Sequence, residues 1–243
     1  MPISPNQGST GGGTTVTITG TGLVGATAVR FGSKLATITA NTATSVTCIS
    51  PSGAGTVDVT VTTAGGTSKP LSFFYVGAPF KTFLSATSGP MAGGNTITIA
   101  GTGLSTATAV NFGANSVTPI VLSDSQLSVT VPAAAAAAVV SVSVTTAGGT
   151  NNGFLYTYVG VPVITSLTPG QGPAFGETDV AIAGSNLTYT DDVRFGGTPA
   201  SFAAVSDNLV VATAPPGVPG TITVTVHSPG GDSNGLAYQQ YQP

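Results

Sequence analysis

Charged residues make up only 5% of this 243-residue sequence, five of them basic and eight acidic. Five Lys and Arg cannot line the positive stripe that a phosphate backbone demands, which argues against nucleic acid and against anionic membrane surfaces. No apolar run approaches the roughly 18 residues of a membrane helix, so membrane insertion is not expected. The single cysteine, Cys48, forbids an intramolecular disulfide, has no metal-ligand spacing and reads as a small buried apolar residue. Tryptophan is absent, and histidine occurs once, at His227, which leaves no second His or Cys for a zinc site. The opening MPISPNQGST has neither a charged n-region nor an apolar h-region, so it is not expected to be a secretory signal. A surface location would then require a leader already removed or another export route.

What is present is Gly (34 residues), Pro (17), and abundant Thr, Val and Ala, with 41% hydrophobic residues and a net charge of −3. β-Branched residues suit pleated strands, Gly and Pro punctuate them, and this hydrophobic content is too high for disorder. The expectation is an all-β protein rich in turns.

The chain repeats itself. SPNQGSTGGGTTVTITGTGL from Ser4, SATSGPMAGGNTITIAGTGL from Ser85 and TPGQGPAFGETDVAIAGSNL from Thr168 align without gaps, and are followed by VRFG at Val29, VNFG at Val110 and VRFG at Val193. VTTAGGT at Val61 recurs identically at Val144, with a looser echo, VHSPGGD, at Val226. Hydrophobic residues alternate with polar ones in each copy, as in Val57, Val59 and Val61 or Ile222, Val224 and Val226, the pattern of strands with one buried face. Val29 and Phe31 therefore point inward and Arg30 outward. Each copy runs about 80 residues with turn signals about every 8 to 12, which predicts a Greek-key sandwich of some seven strands. AGGT becomes the hairpin joining the last two strands, its two glycines supplying positive φ.

The glycine, Val/Ile-Thr and FG pattern resembles the IPT/TIG domain, an immunoglobulin-like fold of plexins, transcription factors and bacterial surface proteins, three times over. The resemblance implies three tandem immunoglobulin-like β-sandwiches, with no catalytic motif. Boundaries are expected at 1–77, 78–160 and 161–243, joined through YVGAP at Tyr75 and YVGVP at Tyr158. These junctions are too short and proline-bound for flexible tethers, which predicts a semi-rigid rod. PAAAAAA at Pro132 fits either one helical turn or a plain loop.

Several motifs invite chemistry. GTGLVG at Gly20 matches a dinucleotide fingerprint but leads into a turn and strand rather than a helix. GDSNG at Gly231 matches a nucleophile elbow, yet no histidine follows it and its register makes Ser233 a turn residue. His227 alternates with inward Val226 and should face solvent. Asp191 and Asp192 lie in the only acidic cluster and are weak calcium candidates, with no recognised ligand spacing. NLT at Asn186 is a glycosylation sequon. No catalytic pair and no cofactor are expected.

Charge is dealt unevenly between the copies. Arg30, Lys34 and Lys69 against Asp58 give repeat one a net +2; Lys81 and Asp124 cancel in repeat two. Arg194 against Glu177, Asp179, Asp191, Asp192, Asp207 and Asp232 gives repeat three a net −5. Repeat one also lacks most of the opening strand that PFKTFLS and PVITSLT supply to the others. A truncated first strand exposes a sheet edge, so copies are expected to associate head to tail. Pro2, Ile3, Arg30, Lys34, Asp232, Tyr238 and Tyr241 are the interface candidates. The reading is a non-catalytic structural or adhesive protein at a cell surface or in an extracellular fibre or particle, meeting itself or another surface protein. A carbohydrate-binding accessory module is the alternative, weakened by the missing Trp.

Overall fold

The computed structural model describes residues 1–242, apart from the side chain of Asn152. By packing the chain divides into two compact units: Met1–Ser85 with Ile97–Val129 and Val142–Phe154, and Ala86–Thr96 with Thr130–Ser141 and Leu155–Pro243. The first unit holds the whole of repeat one and part of repeat two; the second holds the rest of repeat two and all of repeat three.

Each repeat builds the same pair of sheets. In repeat one the first sheet runs Ile3–Ser4, Thr15–Thr19, Ser45–Ile49, Thr37–Asn41. The second runs Gln7–Ser9, Leu71–Val76, Gly55–Thr63, Ala28–Phe31, Lys34–Leu35, with Gly66–Thr67 paired beside Gly55–Thr63. The opening segment changes sheets: Ile3 pairs antiparallel with Ile18, and Gly8 then pairs parallel with Tyr75. This is the Greek-key immunoglobulin plan, with more and shorter strands than the seven expected, because kinks and bulges divide the edges. Repeats two and three have the same strand order.

Alternation places the core. Val16, Ile18, Val29, Phe31, Val46, Cys48, Val59 and Phe73 are buried between the sheets of repeat one, and Val180, Ile182, Val193, Phe195, Val210, Val224 and Tyr238 between those of repeat three. The FG phenylalanine meets an aromatic of the last strand edge-on, Phe31 on Phe73 at 4.9 Å and Phe195 on Tyr238 at 5.2 Å. Such pairs contribute about 0.5–1.5 kcal/mol beyond area burial. Gly89 and Gly172 are glycines because a methyl group there would overlap the hydroxyl of Tyr156 or Tyr238. Burial pushes the Cys48 thiol up to about 11, so it packs as an inert apolar group.

Two expectations are corrected, and one open alternative is decided. Tyr238 cannot serve as an interface residue, because its ring is wholly buried against Phe195. The alanine segment Ala133–Ala137 takes the second of its two expected forms, a plain loop with a bend between strands and no helical turn. In the hairpin only the second glycine has positive φ, at Gly66 (121°), Gly149 (122°) and Gly231 (121°). The first glycine has a different role. A methyl group on Gly148 would overlap the carbonyl of Gly77, and one on Gly230 would overlap the carbonyl of Gly160. The hairpins of repeats two and three are thus bare at the points where the preceding linkers cross them.

The opening strand differs in length, two residues in repeat one against Phe80–Leu84 and Val163–Thr168. In the longer strands Lys81 and Ile164 face the glycine of the GxGL phrase, Gly101 and Gly184, and both are buried. Lys81 directs Nζ to the carbonyl oxygens of Val142 and Asn151 and stands 5.7 Å over the ring of Phe154. Desolvation lowers its pKa from 10.5 to about 8. Nothing in the sequence pattern distinguishes this lysine from a solvated one.

Candidate functional site

The outer face of the second sheet in repeat three carries the densest set of charged side chains. Strand pairing sets Asp192 opposite His227, and His227 opposite Asp232, in one line across three strands. Arg194 and Thr225 form the next line on the same face. Together these five residues line a cavity of about 320 Å³.

The sister repeats have the same lines with different chemistry. Repeat one places Ala28, Thr62 and Thr67 in the first line. There the threonine hydroxyls of Thr62 and Thr67 meet at 3.1 Å, as those of Thr145 and Thr150 do at 3.0 Å in repeat two. His227 and Asp232 replace that neutral cross-strand pair. One residue ahead, Thr27 and Thr108 donate their hydroxyls to the carbonyls of Thr62 and Thr145. Asp191 holds that position in repeat three, its own amide still bonded to the carbonyl of His227. An ionised carboxylate has no proton to give a carbonyl, so it turns to the imidazole instead, and Nδ1 of His227 lies 2.5 Å from Oδ1 of Asp191.

The two adjacent aspartates therefore diverge. Asp191 is bound to His227, while Asp192 accepts from Nε of Arg194 at 2.5 Å; Arg194 also donates to the carbonyl of Gly197. Among the described residues no group of three or more His, Cys, Asp or Glu is arranged to hold a metal ion. The two carboxylates bond different cations, Asp191 to His227 and Asp192 to Arg194, whereas a calcium site needs several convergent oxygens. The side chains remain open to solvent, with relative exposures of 46% for His227 and 52% for Arg194. The hydrogen bond to Asp191 raises the pKa of His227 above its usual value, partial burial opposes this, and the charges of Asp191, Asp232 and Asp192 reinforce it. Nε2 of His227 has no protein partner among the described residues.

The other candidates are dispersed. Pro2 accepts the amide of Thr19, and Ile3 packs on the core edge. Arg30 donates to the carbonyl of Ser33 and Lys34 to that of Ser52, both exposed on repeat one. Tyr241 is 43% exposed at the end of the last strand. Ser233 is a turn residue, its hydroxyl accepting the amide of Val226 and donating to the carbonyl of Asn234. Asn186 donates its side-chain amide to the carbonyl of Val161 and so fixes the linker. Thr225 and Arg194 went unrecognised as members of the cluster. Placing VRFG in register with VHSPGGD would have found them.

Residues 1–75, 79–158 and 162–242 each match the IPT/TIG domain. The chain belongs to the IPT/TIG family. No curated protein matches it. Among solved structures, this IPT/TIG protein is similar to the extracellular region of plexin A4, at 20% identity over 94% of this chain and 22% of that one, with a TM-score of 0.50. It is also similar to FdeC, an Escherichia coli adhesin (11% identity, 98% of this chain, 95% of that one, TM-score 0.35). A third is SGBP-B of Bacteroides ovatus with a mixed-linkage heptasaccharide (16% identity, 98% and 66%, TM-score 0.32). The chain spans less than two thirds of the plexin A4 and SGBP-B chains. At these identities the likeness concerns the fold.

Proposed function

We propose that this IPT/TIG protein is a non-catalytic binding and structural module of a cell surface or extracellular assembly, making protein contacts through sheet faces and loop tips, with copies associating head to tail. The observation that carries the reading is the charge contrast on one face that recurs in the repeats. Repeat three presents Asp192, Arg194, His227 and Asp232 around a cavity, where the corresponding positions of repeat one hold Ala28, Arg30, Thr62 and Thr67. Lys34, on the strand beside Arg30, adds a second exposed cation to repeat one. A positive repeat and a negative one on the same chain are complementary between copies, and such complementarity steers association. The half-exposed imidazole–carboxylate pair lies on an open sheet face and serves recognition. The test is sedimentation velocity over a wide concentration range at low and high salt. Association that weakens with salt supports the reading, and a monomer throughout removes it.

A further inference from the structure

One aromatic position of the core is changed in repeat three. Tyr75, Tyr158 and Gln240 occupy equivalent places opposite Gly8, Gly89 and Gly172. The two tyrosines donate their hydroxyls to the carbonyls of Pro51 and Pro132, both at 2.8 Å. Gln240 keeps that bond with an amide, its Nε2 donating to the carbonyl of Pro215 at 3.0 Å. A methyl group on Gly53 would overlap the ring of Tyr75, and one on Gly217, the same place in repeat three, would overlap Oε1 of Gln240. The amide therefore ends where the ring ends, without the ring's width. Beside it lies a cavity of about 280 Å³, walled by Phe195, Ile222, Pro215, Pro216 and Val218 among others.

The wall has one buried polar group with capacity to spare. Gln240 is 2% exposed and lines the cavity, and its Oε1 has no hydrogen-bond partner among the described residues. An acceptor left unpaired beside apolar carbon is unfavourable, so a donor arriving through the cavity would be held there. No charged side chain lines the cavity, which suits a neutral occupant. Pro216 and Val218 are exposed on the loop between Leu209–Thr213 and Gly220–Ser228, and they bring the cavity to the surface at a loop tip. We propose that this cavity takes an aromatic ring bearing a hydroxyl, supplied as a tyrosine side chain by a partner protein. A dry cavity of about 150 Å³ is enough for benzene, so a phenol ring has room. The ring would lie against Phe195, Pro215 and Ile222 and donate its hydroxyl to Oε1 of Gln240. It would add from outside the aromatic body that Tyr75 and Tyr158 supply from within, and tyrosine suits such a place because its ring is rigid and apolar and its tip polar. The inference rests on the reading of loop tips as protein contacts, and it does not depend on copies associating head to tail.

The probe is p-cresol, the tyrosine side chain as a free molecule. It is titrated into the 243-residue chain while the methyl resonances of Val218 and Ile222 are followed by NMR. Saturable shifts are expected, with toluene, which lacks the hydroxyl, binding at least about threefold more weakly, the worth of one hydrogen bond. A capped glycine–tyrosine–glycine peptide should displace p-cresol, and its phenylalanine counterpart should do so less well. In Gln240→Tyr the sister residue fills the cavity from within, so p-cresol binding should fall by about tenfold or more at an unchanged or higher melting temperature. The absence of a saturable shift up to the solubility limit of p-cresol would overturn the proposal. So would equal binding of toluene, or undiminished binding of p-cresol by folded Gln240→Tyr. Binding of p-cresol that the tyrosine peptide cannot displace would overturn the partner side chain as occupant. The toluene comparison uses the unaltered chain, so it decides the matter even if Gln240→Tyr fails to fold. Sedimentation velocity reports on a different contact, which keeps failure here separate from failure of the head-to-tail reading.

Discussion

Repeats one and three have one strand order and one core. Val29, Phe31, Val59 and Val61 of the first are matched by Val193, Phe195, Val224 and Val226 of the third, all buried. They differ at half-buried and exposed positions of the outer face, where Ala28, Thr62 and Thr67 give way to Asp192, His227 and Asp232. They also differ at the hairpin, open at Gly65 and crossed by a linker at Gly230. The sandwich thus tolerates free exchange on the outer face of its second sheet, where a side chain meets only water and its cross-strand neighbours, and this is where the copies acquire separate chemistry.

The hairpin glycines separate the two repeats most sharply. Gly230→Ala places a methyl group on the Gly160 carbonyl, where backbone on both sides must move, and is expected to cost about 1–3 kcal/mol in urea unfolding. Gly148→Ala should behave likewise, whereas Gly65→Ala should change stability by less than about 0.5 kcal/mol. Equal costs at all three positions would show that the turn itself, rather than the linker, selects glycine.

The opening strand gives the next contrast. Lys81 and Ile164 fill the same buried position, and only the lysine titrates. Its folded pKa, about 8, lies below the usual 10.5, so between these values the unfolded chain binds more protons and stability rises with pH. Unfolding of repeat two should therefore become harder from about pH 8 towards pH 10, by on the order of 2 kcal/mol. At higher pH the buried tyrosines oppose the trend, since burial holds Tyr158 at about 12. Lys81→Met should abolish the rise.

Smaller effects are expected at the charged face. Asp192→Lys with Asp232→Lys should weaken association by about tenfold with no loss of fold, and Arg30→Glu with Lys34→Glu should partly restore it in mixtures. The smallest effect belongs to His227. Its pKa is raised in the folded state, so its stabilisation is complete below the unfolded value of 6.5 and is lost as pH rises through the folded one. A slight fall in the melting temperature of repeat three between pH 6 and 8, absent in Asp191→Asn, would show it; the pair is too exposed for more.

The strand periodicity, the three copies and the inward aromatics were legible in the sequence because alternation and glycine spacing are local signals. The partners of the site were less so. That Asp191 and Asp192 face different cations depends on which strand lies beside Asp192–Phe195, a long-range pairing with no local trace. The buried Lys81 depends likewise on carbonyls 61 and 70 residues away. A tyrosine near the end of a repeat reads the same whether its ring packs inward, as that of Tyr238 does, or caps the end. The first hairpin glycine reads as a turn residue, whereas at Gly148 and Gly230 its reason lies in the preceding linker.

The function proposed for this protein turns on whether repeat one of one copy recognises repeat three of another. Sedimentation velocity of the 243-residue chain at low and high salt decides this. Species larger than the monomer are expected to grow with concentration, to shrink as salt screens the contrast between repeats one and three, and to be lost in Asp192→Lys with Asp232→Lys. A single monomeric boundary at every concentration and salt would contradict it.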